Sequence, residues 1–217
     1  MKFRSHLLLI FFLALLSLVS GCATNPAKPA EMASCCAINA EAAAMVTQLA
    51  AALPEKSLYQ MDSTWTTDAG QPFKLALLRG RPQILAMFFT SCQNACPITV
   101  SDMKRIEAAL PESLRPHVGF TLVSFDPDRD TTAALHAYRL RRGLDQARWT
   151  LLRGEPAEVA DLAARVGMKY KFGARGQFSH SNIITLLNRN GEIVHQQIGL
   201  NQSIDETVAM VQQIAAK

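Results

Sequence analysis

Two cysteines, Cys92 and Cys96, are separated by three residues and followed at once by Pro97. Thiolate sulfur is a soft ligand that suits copper(I), zinc and iron–sulfur clusters, and two nearby thiols can also close a disulfide. Thioredoxin-type redox sites place two residues between their cysteines, so this spacing differs from theirs without excluding redox chemistry. Structural zinc usually takes four ligands from two paired motifs, and only one such pair lies in the predicted folded region. The pair therefore indicates a soft-metal site or a redox pair.

The residues around the pair predict a strand, a loop and a helix. Gln83 to Thr90 form a nearly continuous apolar run, typical of a strand buried on both faces. Pro97 predicts the start of a helix, because proline is tolerated in a first helical turn. Cys96 is therefore expected at the N-cap, where unpaired N–H groups and the positive end of the helix dipole favour a thiolate.

The rest of the pattern predicts an α/β fold. Strands are expected at 118–125 and 149–152, helices at 130–142 and 159–166, and two further strands joined across Asn190-Gly191 before a last helix. Upstream, a turn at Asp68 to Gln71 predicts an N-terminal β-hairpin. The alternation of strands and helices predicts a mostly parallel sheet with helices on both faces. The closing β-β-α order narrows this to a thioredoxin-like fold, with a central mixed sheet flanked by helices.

One of the five histidines is a candidate third ligand. His6 lies in the N-terminal segment, and His117, His136 and His195 precede or occupy regular elements, where an ordinary surface or packed histidine is expected. His180 instead lies in a polar loop that leads directly into a core strand. In a thioredoxin-like fold this position faces the cysteine loop and usually holds a cis-proline. His180 is therefore a candidate functional residue.

The first 21 residues have the pattern of a bacterial lipoprotein signal. Lys2 and Arg4 precede the apolar run Leu7 to Val19, which is shorter than the roughly 20 residues of a membrane span. A small-residue stretch then ends in Gly21-Cys22, which predicts cleavage before Cys22 and acylation of its thiol. An ordinary cleaved signal and an uncleaved signal anchor are the alternatives. The prediction is a lipid-anchored protein of the cell envelope that faces the periplasm, in either membrane.

The predicted domains are the signal peptide (1–21), a Pro-interrupted tether with an N-terminal helix (22–56) and one folded domain (57–217). Removal of the signal leaves 196 of 217 residues and lowers the net charge from +4 to +2. This weak charge and the absence of a Lys/Arg-rich run argue against nucleic-acid binding. Cys35 and Cys36 lie in the tether. They are interpreted as an auxiliary thiol donor, an intermolecular disulfide site, or residues without a role.

Three ordered motifs resemble the Sco/SenC family of copper-binding proteins over roughly residues 57–216. The first is the C-x-x-x-C-P run from Cys92 to Pro97, after a Phe-Phe-Thr strand end. The second is the segment 124–131, S-F-D-P-D-R-D-T, and the third is His180-Ser181 at the start of a strand. Ser179 stands where many members have an acidic residue, and the loop before His180 is shorter than in mitochondrial members.

The resemblance implies a copper ion, Cu(I) or Cu(II), bound by Cys92, Cys96 and His180. It also implies a role in building the copper centre of a respiratory cytochrome c oxidase, by delivering copper or by keeping the cysteines of that centre reduced. The implied partners are the copper-centre subunit or another copper-protein client, and other periplasmic copper carriers. Asp126 and Asp130 match acidic positions near the family's site. Turn and cap formation are the alternative roles, and for Asp130 the N-cap of the following helix is the favoured interpretation.

Three functional hypotheses follow. The first is a metallochaperone, which is a carrier and not a catalyst. The second is a thiol–disulfide oxidoreductase that acts on the cysteines of a copper-protein client. The missing cis-proline disfavours a general oxidoreductase, although the two roles are compatible. The third, a peroxiredoxin-like peroxidase, is disfavoured because its proline and threonine should shortly precede the reactive cysteine; Pro82 is too distant, and only Thr90 is near.

Overall fold

The computed structural model describes residues 53–173 and 178–215. The predicted signal peptide, the acylation site Cys22, the cysteines Cys35 and Cys36, and nearly all of the predicted tether and its helix lie outside these residues. Among the described helices, none is both long enough and apolar enough to cross a bilayer.

Nine strands and four α-helices make up the described fold. Seven strands form one sheet in the order β2-β1-β5-β4-β3-β8-β9, and β6 and β7 pair separately. The strands are β1 (Trp65–Thr67), β2 (Pro72–Phe73), β3 (Gln83–Phe88), β4 (Gly119–Ser124), β5 (Trp149–Arg153), β6 (Tyr170–Phe172), β7 (Phe178–His180), β8 (Ile183–Leu187) and β9 (Ile193–Ile198). The helices are α1 (Ala95–Ala109), α2 (Thr132–Arg142), α3 (Pro156–Arg165) and α4 (Asp205–Ala215), with 3-10 turns at Leu58–Gln60, Leu75–Leu78 and Arg115–His117.

The main sheet is mixed, as predicted, but the expectation that it is mostly parallel is wrong. Only the β3–β4 and β4–β5 pairs are parallel. The β1–β2, β1–β5, β3–β8 and β8–β9 pairs are antiparallel. A parallel neighbour needs a long crossover, usually through a helix, whereas β8 follows the short strand β7 with no helix between them. The sheet therefore reverses direction where β8 joins β3.

The core surrounds the two central strands. Every residue of β3 and β4 is buried, which explains their continuous apolar sequences. One face of α1 packs on this sheet through Val100, Met103 and Ile106, each at most 1% exposed. Full burial of one such side chain stabilises the fold by roughly 1.5–3 kcal/mol. The ends of β3 and β4 are therefore held by the best-packed part of the molecule.

Three segments of the chain meet at one edge of the sheet. Phe88 and Ser124 are register partners at the carboxyl ends of β3 and β4, and Phe125 N donates to Phe88 O over 2.9 Å. The loops that follow these strands therefore leave the sheet side by side. Because β8 runs antiparallel to β3, the residues just before Ile183 reach the same edge. This topology brings the cysteine loop, the segment after β4 and His180 together.

Candidate metal-binding site

Cys92, Cys96 and His180 form one cluster of ligand atoms. Their sulfur and imidazole nitrogen atoms all lie within 4.8 Å of one another, and no other such group of His, Cys, Asp and Glu exists among residues 53–173 and 178–215. A metal ion lies about 2.0–2.3 Å from its nitrogen and sulfur ligands, so it can join atoms up to about 4.6 Å apart. The three side chains therefore need only a slight approach to share one ion.

The start of α1 differs from the prediction. Asn94 is the N-cap and Cys96 is the second residue of the helix, so the expectation of Cys96 at the N-cap is wrong. The Cys96 backbone N–H instead donates to the sulfur of Cys92 over 3.4 Å. The unpaired N–H groups of a first helical turn favour negative charge nearby. The first turn of the helix therefore holds the Cys92 sulfur close to the backbone of Cys96.

Cys96 is the buried member of the pair, with 1% of its surface exposed. Burial raises the pKa of its thiol far above the usual value, and the nearby Cys92 adds to this effect. Burial therefore opposes the thiolate that the sequence predicted at Cys96. Because metal binding requires a thiolate, it must release the thiol proton.

His180 is oriented by its neighbours. Its Nδ1 lies 3.1 Å from the carbonyl oxygen of Ser181. A carbonyl can only accept, so Nδ1 carries the hydrogen and Nε2 keeps a free lone pair. The ring packs against Phe125, with centroids 5.1 Å apart, and edge-on against Phe89 at 6.0 Å. Such outer contacts fix which nitrogen can bind a metal.

Aromatic contacts attach the small β6–β7 sheet to the core. Phe178 on β7 lies 5.2 Å from the ring centroids of both Phe89 and Phe125. Tyr170 on β6, the register partner of His180, lies 5.3 Å from Phe125. Aromatic pairs at these distances contribute roughly 0.5–1.5 kcal/mol beyond the area that they bury. The position of His180 therefore depends on packing more than on backbone pairing with the main sheet.

Asp130 is a buried anchor of the cysteine loop. It is fully buried, and its carboxylate accepts hydrogen bonds from Thr90 N at 3.0 Å, from Thr90 Oγ1 and from Ser124 Oγ. Its predicted role as a helix N-cap is wrong, because Thr131 caps α2 and accepts from Ala134 N over 3.1 Å. Thr90 lies two residues before Cys92. Asp130 thus ties the cysteine loop to the end of β4.

Asp126 lies beside the site and is not part of the ligand cluster. It is 4% exposed and forms an ion pair with Arg129 Nε. Burial raises the pKa of Asp126 above its usual value, while the hydrogen bond and charge of Arg129 oppose this rise. The guanidinium carbon of Arg129 lies 5.5 Å from the ring centroid of Phe178. Asp126 therefore orients an arginine that packs on the histidine side of the site.

A cavity of about 330 Å³ opens on the cluster. Cys92 and His180 line it, together with Arg129 and Phe178, whereas Cys96 does not. Two residues that support the site, Thr90 and Ser124, were not identified as such from the sequence. Both lie inside the motifs that resemble the family. Their hydrogen bonds to Asp130, however, join residues up to 40 positions apart, so only the folded structure shows them.

Comparisons with known proteins agree with this arrangement. The SCO1/SenC family model matches residues 51–216 of the chain. A protein of Stutzerimonas stutzeri named "Putative copper-binding protein" is 29% identical over 143 residues, which cover 64% of this chain and 68% of that protein.

Solved structures show the same fold. A SCO1/SenC family lipoprotein from Bacillus anthracis superposes with a TM-score of 0.64 at 23% identity, over 70% of this chain and 92% of that one. ScoI from Arabidopsis thaliana with copper bound superposes with a TM-score of 0.60 at 22% identity, over 71% and 97%. The predicted thioredoxin-like α/β fold is therefore confirmed.

Proposed function

This chain belongs to the SCO1/SenC family, and from that premise we propose that it is a copper-binding metallochaperone that holds copper through Cys92, Cys96 and His180. The observation that carries the proposal is the approach of two sulfur atoms and one imidazole nitrogen to within 4.8 Å. No further Cys, His, Asp or Glu in the described residues joins this group. The proposed site therefore offers three protein ligands.

The chemistry of these ligands favours copper. Thiolates select copper(I) over harder ions, and imidazole suits copper in both common oxidation states. A structural zinc site would need a fourth protein ligand. The name of the Stutzerimonas stutzeri relative and the copper-bound Arabidopsis thaliana structure support the same metal. The bound copper ion would be transferred to a client protein, and the sulfur ligands would favour copper(I).

The unequal exposure of the ligands suggests a direction for transfer. Cys92 and His180 line the open cavity, while Cys96 lies behind them in the core. An incoming ligand would meet Cys92 and His180 first and Cys96 last. Because the Cys96 thiol must lose its proton to bind, copper affinity should rise with pH in the neutral range.

The proposed client is the copper-centre subunit of a respiratory cytochrome c oxidase, with another copper protein as the alternative. The Sco family is described as a family of cytochrome c oxidase assembly proteins. Acylation at Cys22 would hold the domain at a membrane of the cell envelope, facing the periplasm, where other copper carriers would load it. The lipoprotein name of the Bacillus anthracis structure supports this anchor.

Replacement of the histidine tests the proposal. His180→Ala should weaken copper(I) binding at least about tenfold, because it removes one of three ligands, and each tenfold step corresponds to 1.4 kcal/mol. His117→Ala is the matched control, since His117 is exposed and outside the cluster. Competition against a chromophoric copper(I) chelator measures both affinities. Equal affinities for His180→Ala and the unmodified chain would reject the three-ligand site.

A second candidate, a thiol–disulfide reductant for the client's cysteines, rests on the same pair. Cys92 is accessible and Cys96 is buried close behind it, which suits an attacking thiol and a resolving thiol. Removal of His180 separates the two functions. Reduction of a client disulfide that is unchanged in His180→Ala, and unchanged by a copper chelator, would favour the reductant over the carrier.

A further inference from the structure

Cys92 also lines a second cavity. Its volume is about 590 Å³, and Cys92 lines it together with Tyr138, Arg141 and Arg142 from the last turns of α2. His180 lines the first cavity but not this one. Cys92 therefore lines two cavities, and one of them also has two arginine side chains in its wall.

Two carbonyl groups in the last turn of this helix already accept hydrogen bonds from other donors. Cations in a last turn usually interact with free carbonyl groups. Here Lys104 Nζ donates to Arg142 O over 2.9 Å, and Gly143 N donates to Leu140 O. In the part of the chain that the structure describes, neither Arg141 nor Arg142 has an ion pair with a carboxylate.

The guanidinium groups instead lie against an aromatic ring in the cavity wall. The guanidinium carbons of Arg141 and Arg142 lie 5.8 and 5.5 Å from the centroid of the Tyr138 ring. Arg139, in the same turn, differs because it is buried and forms two hydrogen bonds with Asp68. Two cations that have no carboxylate partner among the described residues thus line the same cavity as Cys92.

Tyr138 supplies an independent indication of a ligand. It is 1% exposed, and its hydroxyl makes no hydrogen bond of normal distance and angle with a described residue, although the Arg142 guanidinium lies close to it. A buried hydroxyl without a hydrogen bond lowers the stability of the fold by roughly 1–3 kcal/mol, so such a group often has a functional role or a bound partner. Burial raises the pKa of Tyr138 to about 12, and the nearby charge of Arg142 opposes this rise.

We propose that this cavity binds a low-molecular-mass thiol or disulfide that carries a carboxylate, with the carboxylate on Arg141 and Arg142 and the sulfur against Cys92. Planar guanidinium groups bind carboxylates through paired hydrogen bonds. The cavity is within the roughly 300–1,000 Å³ of small-ligand sites. The proposal goes beyond copper carriage and does not depend on it, because it concerns the metal-free chain.

With a disulfide ligand, the site supports one exchange step. The Cys92 thiolate attacks one ligand sulfur, a bond forms between them, and the ligand's own S–S bond breaks. The bond's electron pair leaves with the second ligand sulfur as a thiolate, which takes up the proton that Cys92 released to solvent. Cys92 is oxidised and the ligand is reduced, so no further reactant is needed.

Two disulfide probes of different charge test the proposal in the metal-free full chain carrying Cys96→Ala, which stops the resolving step. The dianion 5,5′-dithiobis(2-nitrobenzoate) is compared with the neutral 2,2′-dithiodipyridine, and mass spectrometry locates the adduct on Cys92. Arg141→Gln with Arg142→Gln should slow the dianionic probe about tenfold relative to the neutral one. Arg141→Lys with Arg142→Lys retains the charge and should lose less.

Lys74→Gln with Arg165→Gln is the matched control, because it removes two positive charges that line neither cavity. An equal loss in this control would assign the effect to overall charge and overturn the proposal. An equal slowing of both probes in the Gln pair would mean that the arginines act on the Cys92 thiol itself, and would also overturn it.

A ligand that cannot undergo disulfide exchange distinguishes binding in the cavity from electrostatic attraction of the probe towards Cys92. S-methylglutathione, which carries carboxylates and a thioether, should protect Cys92 from the neutral probe in a saturable way. Protection should disappear in the Arg141→Gln, Arg142→Gln chain and remain in the Lys74→Gln, Arg165→Gln chain. No protection of the parent chain would leave electrostatic steering alone and reject a binding site.

Discussion

The two sides of the candidate site have different structural support. The cysteine loop continues β3, which is buried along its length and paired with β4 on one side and β8 on the other. His180 lies on β7, a strand of three residues that are half-buried or exposed and pair only with β6. The cysteine side belongs to the core, whereas the histidine side is attached to it through aromatic rings.

This difference suggests how one site can both hold and release an ion. Regions with few buried contacts and short backbone pairing open at a lower free energy than core strands. The two cysteines therefore fix the position of the ion. His180 is the ligand that can move away from the ion at a lower free energy of local opening.

Hydrogen exchange should show the contrast most strongly. The Phe125 N–H, bonded to Phe88 O at 2.9 Å, belongs to the cysteine side, and the Ser181 N–H, bonded to Lys169 O at 2.8 Å, belongs to the histidine side. We expect Phe125 to be protected at least about 1,000-fold more strongly, because β3 and β4 open only with the core. NMR-detected exchange measures both amides. Equal protection would show that the histidine side is as stable as the core.

The two thiols should differ in reactivity in the reduced, metal-free chain. Burial raises the pKa of Cys96, so only a small fraction of this thiol is ionised at pH 8. Iodoacetamide should therefore modify Cys92 about 100-fold faster than Cys96. The rate at Cys96 should rise about tenfold per pH unit while the pH stays below its pKa. Peptide mass spectrometry gives both rates, and comparable rates at pH 8 would contradict the burial of Cys96.

Loss of the Asp130 charge should weaken the cysteine side. Asp130→Asn replaces a carboxylate that accepts from Thr90 and Ser124, so the free energy of unfolding should fall by about 2–3 kcal/mol. Asp128→Asn is the control, since Asp128 is exposed, and should change it by less than about 0.5 kcal/mol. Urea unfolding measures both. A similar small change in the two variants would show that Asp130 does not stabilise the cysteine side.

Loss of an aromatic ring should have a smaller effect on the histidine side. Phe178→Leu removes the ring that contacts Phe89 and Phe125, and should lower the free energy of unfolding by about 1 kcal/mol. Phe172→Leu is the matched control, because Phe172 is 57% exposed, and should have about half that effect or less. A shift of the His180 NMR signals in the Phe178 variant alone would complete the expected result. Unchanged His180 signals would show that packing does not position the ring.

The sequence predicted the parts of this molecule that depend on local pattern. The apolar run of β3, the turn signal between β8 and β9, and the residue types of the cluster were all readable, and the structure brings Cys92, Cys96 and His180 together. The family resemblance was confirmed by the match over residues 51–216. Strands, helices and ligand types have local signatures, and for this reason they could be predicted.

Features that depend on distant contacts were missed. The helix begins at Ala95 and not at the proline, since helix boundaries vary by a residue or two with their surroundings. Asp130 precedes a helix, as a cap would, yet its partners are Thr90 and Ser124 on neighbouring strands. The high pKa of Cys96 follows from burial, which the spacing of the two cysteines does not reveal.

The most direct test is X-ray absorption spectroscopy at the copper edge on the copper(I)-loaded chain. Cys22, Cys35 and Cys36 are replaced by Ser, so that the only thiols are those of Cys92 and Cys96. A copper ion held by Cys92, Cys96 and His180 should show about two sulfur ligands and one nitrogen ligand at distances typical of thiolate and imidazole, and should lose the nitrogen in His180→Ala. A copper shell without sulfur would contradict this three-ligand site.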